Sequence, residues 1–292
     1  RGRGPGGLGR TGTGVPPMRL HAISCDVLAR PVLACAARSP HAVEVTLLRR
    51  GLHAQPPRLR DQLQAEIDRA AAPGLAAPGD GDRDPAPPDA VVLAYGLCGG
   101  ATAGLVARDV PLVLPRAHDC ITLFLGSRER YAEEAAAMPT YWYARDQLER
   151  PAEPGAAGGA GSGDIPGWAA DTDAQLAAQR AVFVERYGVD NADYLMEVMG
   201  AWRARYRRGA YVALPTDAET GPDGHDGRAA EAVARAESER RGWLFERIEG
   251  DLALLGRLLD GAWDDDVLVL RPGERLAMAF DDGDVRAVPA NA

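Results

Sequence analysis

The chain has 292 residues, of which 46% are hydrophobic, and this length can bury one large core. A net charge of −9, with no basic stripe along the chain, excludes a typical nucleic-acid-binding protein. All 33 basic residues are arginines, which excludes a catalytic Schiff-base lysine, and no apolar run reaches the about 18 residues of a membrane-spanning helix.

The ends of the chain and its low-complexity segments set the predicted domain limits. Residues 1–17 are rich in Gly and Arg, which predicts a disordered leader rather than a secretory signal. Residues 18–292 are predicted to form a single domain. Segments rich in Ala, Pro, Gly and Asp are predicted insertions in it, at 71–88, 151–165 and 218–227. Four cysteines without an export signal predict a cytoplasmic protein with reduced thiols.

Hydrophobic patterns predict alternating strands and helices along the first half of the domain. The predicted strands are 19–25, 43–48, 90–95 and 111–115. The predicted helices are 26–38 with Asp26 as its N-cap, 58–70, a stretch after Gly100 that runs to about Ala107, and one that begins at Cys120 with Asp119 as its N-cap.

The second half continues the alternation. Predicted helices occupy 172–187, 190–206, 228–240 and the stretch Leu252–Leu259, and predicted strands occupy 210–214, 243–248 and 267–270. The arginines between 203 and 208 are interpreted as the basic end of a helix. The whole pattern predicts a layered, Rossmann-like α/β fold, with a mostly parallel sheet, helices on both faces and a helical insertion in the second half.

One unit occurs three times: a predicted strand, a cysteine and then a predicted helix. Its cysteines are Cys25, Cys98 and Cys120. Because ligands of open α/β sheets bind outside the carboxyl ends of the strands, the three thiols are predicted to meet at one site. Helix N-termini favour thiolates, the form that binds metal. Three sulfurs with one open position suit a zinc ion or an iron–sulfur cluster, and the sequence leaves that choice open.

Neighbouring residues complete the candidate site. Gly96 and Gly99 would let the backbone approach a bound group closely. His53 and His118 are candidates for the same rim, although His53 is better explained as a surface or capping residue than as a ligand. The glycine-rich turn lacks the spacing and the lysine of a phosphate-binding loop. Cys35, inside an apolar helical stretch, is interpreted as a core residue.

Several longer motifs resemble a known family. The stretches are Tyr95-Gly96-Leu97-Cys98-Gly99, the segment from Pro115 to Ser127, Glu129-Arg130-Tyr131, Tyr187-Gly188-Val189-Asp190-Asn191-Ala192 and Leu258-Leu259-Asp260-Gly261. Together they resemble the bacterial and archaeal domain-of-unknown-function 1638 family over most of the chain from about Met18. The family cysteines correspond to Cys25, Cys98 and Cys120, and its histidines to His53 and His118.

The resemblance implies a cellular context rather than a reaction. Members of the family are often found beside corrinoid-dependent methyltransferase components, which implies a metalloprotein of one-carbon metabolism with such components, and through them a corrinoid, as partners. Arg116 and His118 would then bind or orient a small anionic substrate. Two alternatives stay open: a non-catalytic metal or corrinoid accessory protein, and a metal-free thiol enzyme with Cys98 as nucleophile and His118 as base.

Overall fold

The computed structural model describes residues 16–72, 87–150, 180–181, 183–185, 187–201, 206–218, 227–278 and 285–291. Several predicted segments lie mostly outside these residues: the leader 1–17, the insertions at 71–88 and 218–227, and the helix 172–187. The insertion at 151–165 lies entirely outside them. No helix of the described part is long and apolar enough to cross a bilayer.

The main sheet has five strands in the order β2-β1-β3-β4-β8. They are β1 (Arg19–Cys25), β2 (Ala42–Leu48), β3 (Ala90–Ala94), β4 (Leu112–Pro115) and β8 (Val267–Leu270). The first four are parallel, and β8 joins β4 as an antiparallel edge. β3 is buried along its whole length, as expected for the central strand of a parallel sheet. The predicted α/β class is thereby confirmed.

The helices of the described residues are α1 (Ala29–Arg38), α2 (Pro56–Ala71), α3 (Cys120–Leu125), α4 (Arg128–Ala137), α5 (Arg145–Glu149), α6 (Val189–Ala201), α7 (Gly227–Arg240) and α8 (Ala253–Leu259). Of these, α1, α2 and α8 pack on the main sheet and cover both of its faces. Alternate residues of β1 enter separate cores: Leu20 packs with Val32 of α1 and Leu255 of α8, whereas Ile23 packs with Leu63 of α2. This alternation is the sheet geometry that binds two helix layers.

A second, three-stranded parallel sheet follows in the order β5-β6-β7. Its strands are β5 (Thr140–Tyr143), β6 (Arg208–Ala213) and β7 (Leu244–Glu249). The interpretation of Arg208 as a helix end is wrong, because Arg208 opens the buried strand β6 and binds Glu134 and Glu246. Val212 and Ile248 pack into the same core as the main sheet, so the two sheets share a hydrophobic interior.

Two predictions near the candidate site are wrong. Asp26 does not cap a helix, because its carboxylate accepts a hydrogen bond from the backbone N–H of Arg50, 2.7 Å away. The stretch from Gly100 to Ala107 forms turns instead of a helix. Its start is a 3-10 turn, Cys98–Gly100, with three successive residues at positive φ, a backbone that cannot continue a right-handed helix.

The hairpin of β9 (Glu274–Met278) and β10 (Val285–Pro289) closes the described chain. It covers the segment that follows the Cys98 turn, since Gly104 N–H donates to the carbonyl of Leu276. Val285 at the start of β10 is buried in the main core. The hairpin therefore supplies one wall beside the end of β4.

Candidate functional site

Three thiols line one cavity at the carboxyl end of the main sheet. Cys25 ends β1, Cys98 opens the turn after β3, and Cys120 begins α3. The cavity, here called the thiol cavity, has a volume of about 40 Å³. Its wall also includes Arg49, His53, Leu59, Tyr95 and Gly96. The parallel strand order therefore brings together three cysteines that lie far apart in sequence.

Cys25 is the most deeply placed of the three thiols. Burial raises its pKa to about 12, so at neutral pH it is a neutral thiol while the cavity holds no cation. The Tyr95 hydroxyl is buried and makes no hydrogen bond of normal geometry. Burial raises the Tyr95 pKa as well, with further contributions from Cys25 and Cys98, which places this hydroxyl near both sulfurs. The Cys25 thiol and the Tyr95 hydroxyl thus lie together at the floor of the thiol cavity.

Cys98 has an unusual backbone. With φ of 46°, it is the sole non-glycine at positive φ among the residues that the structure describes. A β-carbon in this region costs about 1 kcal/mol or more, and such strain is concentrated at functional sites. Gly99 follows with φ of 66° and open space in front of its Cα. The strained turn holds the Cys98 side chain on the cavity wall.

Two chain segments form a wall behind the thiol cavity. Leu97 N–H donates to the Ala117 carbonyl over 2.9 Å, and Cys98 N–H donates to the His118 carbonyl over 3.1 Å. Gly96 lies against the Asp119 backbone so closely that a side chain would not fit. The missing side chain of Gly96 therefore serves the packing of these two segments, in addition to lining the cavity.

A second cavity lies on the other side of this wall. It has a volume of about 120 Å³ and is here called the arginine cavity. The residues that line it are Leu97, Arg116, Ala117, His118, Thr122, Arg128, Tyr131 and Val285. Arg116 also donates a hydrogen bond to the Val285 carbonyl of the hairpin. Its lining carries two guanidinium groups and an imidazole, a set of donors suited to an anion.

Asp119 organises one side of the arginine cavity. One of its carboxylate oxygens caps α3 by accepting from Ile121 N–H, as predicted, at 2.9 Å. The other lies 3.1 Å from His118 Nδ1 and 3.2 Å from the Tyr131 hydroxyl. The hydrogen bond to Asp119 raises the pKa of His118, and the His118 ring stacks on Tyr131 with ring centroids 5.7 Å apart. Asp119 thus fixes the imidazole and favours its charged form.

The candidate residues therefore divide between two cavities. Cys25, Cys98, Cys120 and His53 share the thiol cavity, whereas Arg116 and His118 share the other. The proposed nucleophile Cys98 and base His118 thus line separate cavities. Cys35 packs on the opposite face of the sheet, in the core that contains Leu20. In the described part of the chain, no three His, Cys, Asp or Glu side chains are already arranged to hold a metal ion.

Sequence reasoning did not select five polar lining residues: Arg49, Tyr95, Thr122, Arg128 and Tyr131. Arg128 and Tyr131 are three residues apart on α4, a spacing that puts both on one face of a helix. Thr122 lies in the first turn of α3, two residues after Cys120. The helical spacing was available in the sequence, but nothing in it showed which face of each helix meets the cavity.

Comparison with known proteins gives one match. A family described as "Protein of unknown function (DUF1638)" matches residues 47–259. This stretch contains Cys98, Cys120, His53 and His118, and Cys25 precedes it. No curated protein and no solved structure matches the chain.

Proposed function

The chain belongs to the DUF1638 family of proteins of unknown function, and for this member we propose a thiophilic metal site formed by Cys25, Cys98 and Cys120. One observation carries the proposal: three thiols from three separate chain segments line a single cavity of about 40 Å³. Chance placement of structural cysteines would distribute them among the cores, as Cys35 is.

The donor set fits zinc best. His53 lines the same cavity, and three sulfurs with one imidazole nitrogen form a common zinc ligand set. The cavity is small, at about 40 Å³, which suits a single metal ion better than a cluster of several atoms. The side chains would have to rotate toward one point to form the site, since they are not in ligand positions in this structure.

Protein residues would also exclude water from the metal site and position its ligands. The buried Cys25 and Tyr95 keep water away from the cavity floor, and the strained turn holds Cys98 at its wall. Ligand thiols must lose their protons, and the high pKa of Cys25 makes this loss depend on the charge of the ion. A bound zinc would supply Lewis acidity and activation of a thiol or water.

The proposed cellular role is corrinoid-linked one-carbon metabolism in the cytoplasm, where thiols stay reduced. None of the four cysteines forms a disulfide in the structure, in agreement with that setting. Arg116 and His118 would bind a small anionic substrate, and corrinoid methyltransferase components would be partners. If the purified protein binds such a component and shows no turnover with thiols or methyl donors, the accessory role replaces the enzymatic one.

The first test is metal content after anaerobic purification of the full chain, with a visible absorption spectrum. We expect roughly one zinc per chain and no colour. Broad absorption near ~400 nm with iron and sulfide would also support a cysteine-ligated metal, but as a cluster. Reconstitution with zinc, or with iron and sulfide, that leaves the protein without metal would overturn the proposal.

Matched variants sharpen this test. Cys98→Ala and Cys120→Ala should each lose most of the metal, whereas Cys35→Ala should keep it, because Cys35 lies in a different core. Thermal unfolding of all three variants separates loss of metal from loss of fold. Equal metal content in Cys98→Ala and Cys35→Ala would contradict a thiol-ligated site.

A further inference from the structure

We propose that the arginine cavity binds the carboxylate or phosphate group of a small molecule, through Arg116, Arg128 and the Thr122 hydroxyl. The inference deepens the proposed function and rests on it, because that function already assigns a small anionic substrate to Arg116 and His118. It adds Thr122 and Arg128 as binding residues and assigns the ligand to a cavity separate from the thiols.

Thr122 is the observation that points to a ligand. Its side chain is 1% exposed and lines the cavity, yet its Oγ1 has no hydrogen-bond partner in the structure. A buried hydroxyl without a partner is unfavourable, so such groups normally bind to protein, water or ligand. Thr122 lies in the first turn of α3, whose start is capped by Asp119.

The charges around the cavity select an anion. Arg116 comes from the end of β4 and Arg128 from the start of α4, so two guanidinium groups reach the same space from separate elements. The Asp119 carboxylate, beside His118, is bonded to Ile121 N–H, His118 and Tyr131. Guanidinium forks match the geometry of both carboxylate and phosphate oxygens.

The size of the cavity limits the ligand. A cavity of about 150 Å³ holds a molecule the size of benzene. The arginine cavity, at about 120 Å³, therefore has room for one oxyanion group and a few further atoms. Leu97 faces this cavity while its neighbours Gly96 and Cys98 face the thiol cavity, so a single backbone layer separates the two.

Titration calorimetry at constant ionic strength tests the proposal, with inorganic phosphate in one arm and acetate or succinate in the other. The full chain is used both as purified and after metal removal by a chelator. We expect saturable binding of at least one of these anions in both preparations, because the cavity lies behind the wall that separates it from the thiols. The anion that binds more tightly shows whether the cavity prefers a phosphate or a carboxylate group.

Three variants test the residues. Arg128→Gln should weaken binding by about tenfold or more, and Thr122→Val, which keeps the shape, by several-fold, since each removes a hydrogen bond to a charged ligand. Thr122→Ser should keep most of the affinity. Arg271→Gln, an exposed arginine outside both cavities, should bind like the wild type. Absence of binding in both arms, or equal binding by Arg128→Gln and Arg271→Gln, would overturn the proposal.

The same experiment separates this inference from the metal proposal. Anion binding that survives in Cys98→Ala, a variant expected to lose its metal, would support the arginine cavity alone. Metal binding by the wild type without anion binding would support the thiol cavity alone and overturn the present inference.

Discussion

Gly96 and Asp119 are in backbone contact: a β-carbon at Gly96 would lie 2.5 Å from Asp119 Cα and 2.6 Å from Asp119 N. Real β-carbons do not approach backbone atoms so closely, and neither partner is the flexible end of a side chain. This contact joins the turn that carries Cys98 to the turn that carries His118 and Cys120. Both cavities depend on it, because these two turns form the wall between them.

Gly96→Ala should therefore destabilise the protein and disturb both cavities. Overpacking against backbone typically costs 1–3 kcal/mol, and we expect about 3 kcal/mol here. Urea unfolding measures the loss. Gly256→Ala is the matched control, because Gly256 lies within α8 with open space around its Cα, and alanine there should stabilise by about 0.5–1 kcal/mol. If both substitutions changed the free energy of unfolding equally, the close contact between Gly96 and Asp119 would be refuted.

Cys98→Gly should separate stability from metal binding. Glycine adopts the positive φ of this residue without strain, so Cys98→Gly should be more stable than Cys98→Ala by about 1 kcal/mol. Both variants lack the thiol and should bind little metal. Thermal unfolding and metal analysis on the same samples check both expectations. A Cys98→Gly protein less stable than Cys98→Ala would show that the backbone at this position is not strained.

Arg208 should be essential to the second sheet. It is 5% exposed and donates to Thr140 Oγ1 at 2.8 Å, to Glu246 at 2.7 Å and to Glu134 at 2.9 Å. Arg208→Leu would leave these partners without their donor, at a cost of about 2–3 kcal/mol after discounting for the partly exposed carboxylates. The adjacent, exposed Arg207 is the control, and Arg207→Leu should change the free energy of unfolding by less than about 0.5 kcal/mol.

Protonation of His21 should lower the free energy of unfolding in mild acid. Burial lowers its pKa below the usual 6.5, while Glu44 and Glu66 oppose this shift and Arg69 supports it. The unfolded chain then binds the proton more readily, so the free energy of unfolding should fall as pH drops from 6.5 toward the lowered pKa. His118 shifts in the opposite direction, and a variant is needed to isolate His21.

The variant His21→Gln removes this titration, and its amide can still bond to Thr46, which lies 2.9 Å from His21 Nε2. Urea unfolding at pH 7.5 and pH 5.5 should show a larger loss of stability in the wild type than in His21→Gln. Parallel losses in the two proteins would mean that His21 does not contribute to the pH dependence.

Local patterns predicted many of the elements near the site. The strand from Arg19 to Cys25 and the strand from Val267 to Leu270 have the predicted bounds, because β-branched and apolar runs between turn residues favour extended chain. Asp119 caps α3 as predicted, because an N-cap depends on residues two or three positions away. The prediction of a helix after Gly100 is wrong. Cys98 has a positive φ and its N–H is bonded to the His118 carbonyl, a contact between distant segments that local helix propensity does not describe.

By itself, the sequence determined the α/β class and two of the three predicted strand–cysteine–helix units, those of Cys25 and Cys120, since periodicity and turn chemistry are encoded by neighbouring residues. The tertiary structure alone decided which residues share a cavity. Sheet order brought Cys25, Cys98 and Cys120 to one cavity, whereas Arg116 and His118 line a different one. The wall between the cavities is formed by two segments that lie far apart in sequence and are joined by backbone hydrogen bonds, so local sequence does not show which cavity a side chain lines.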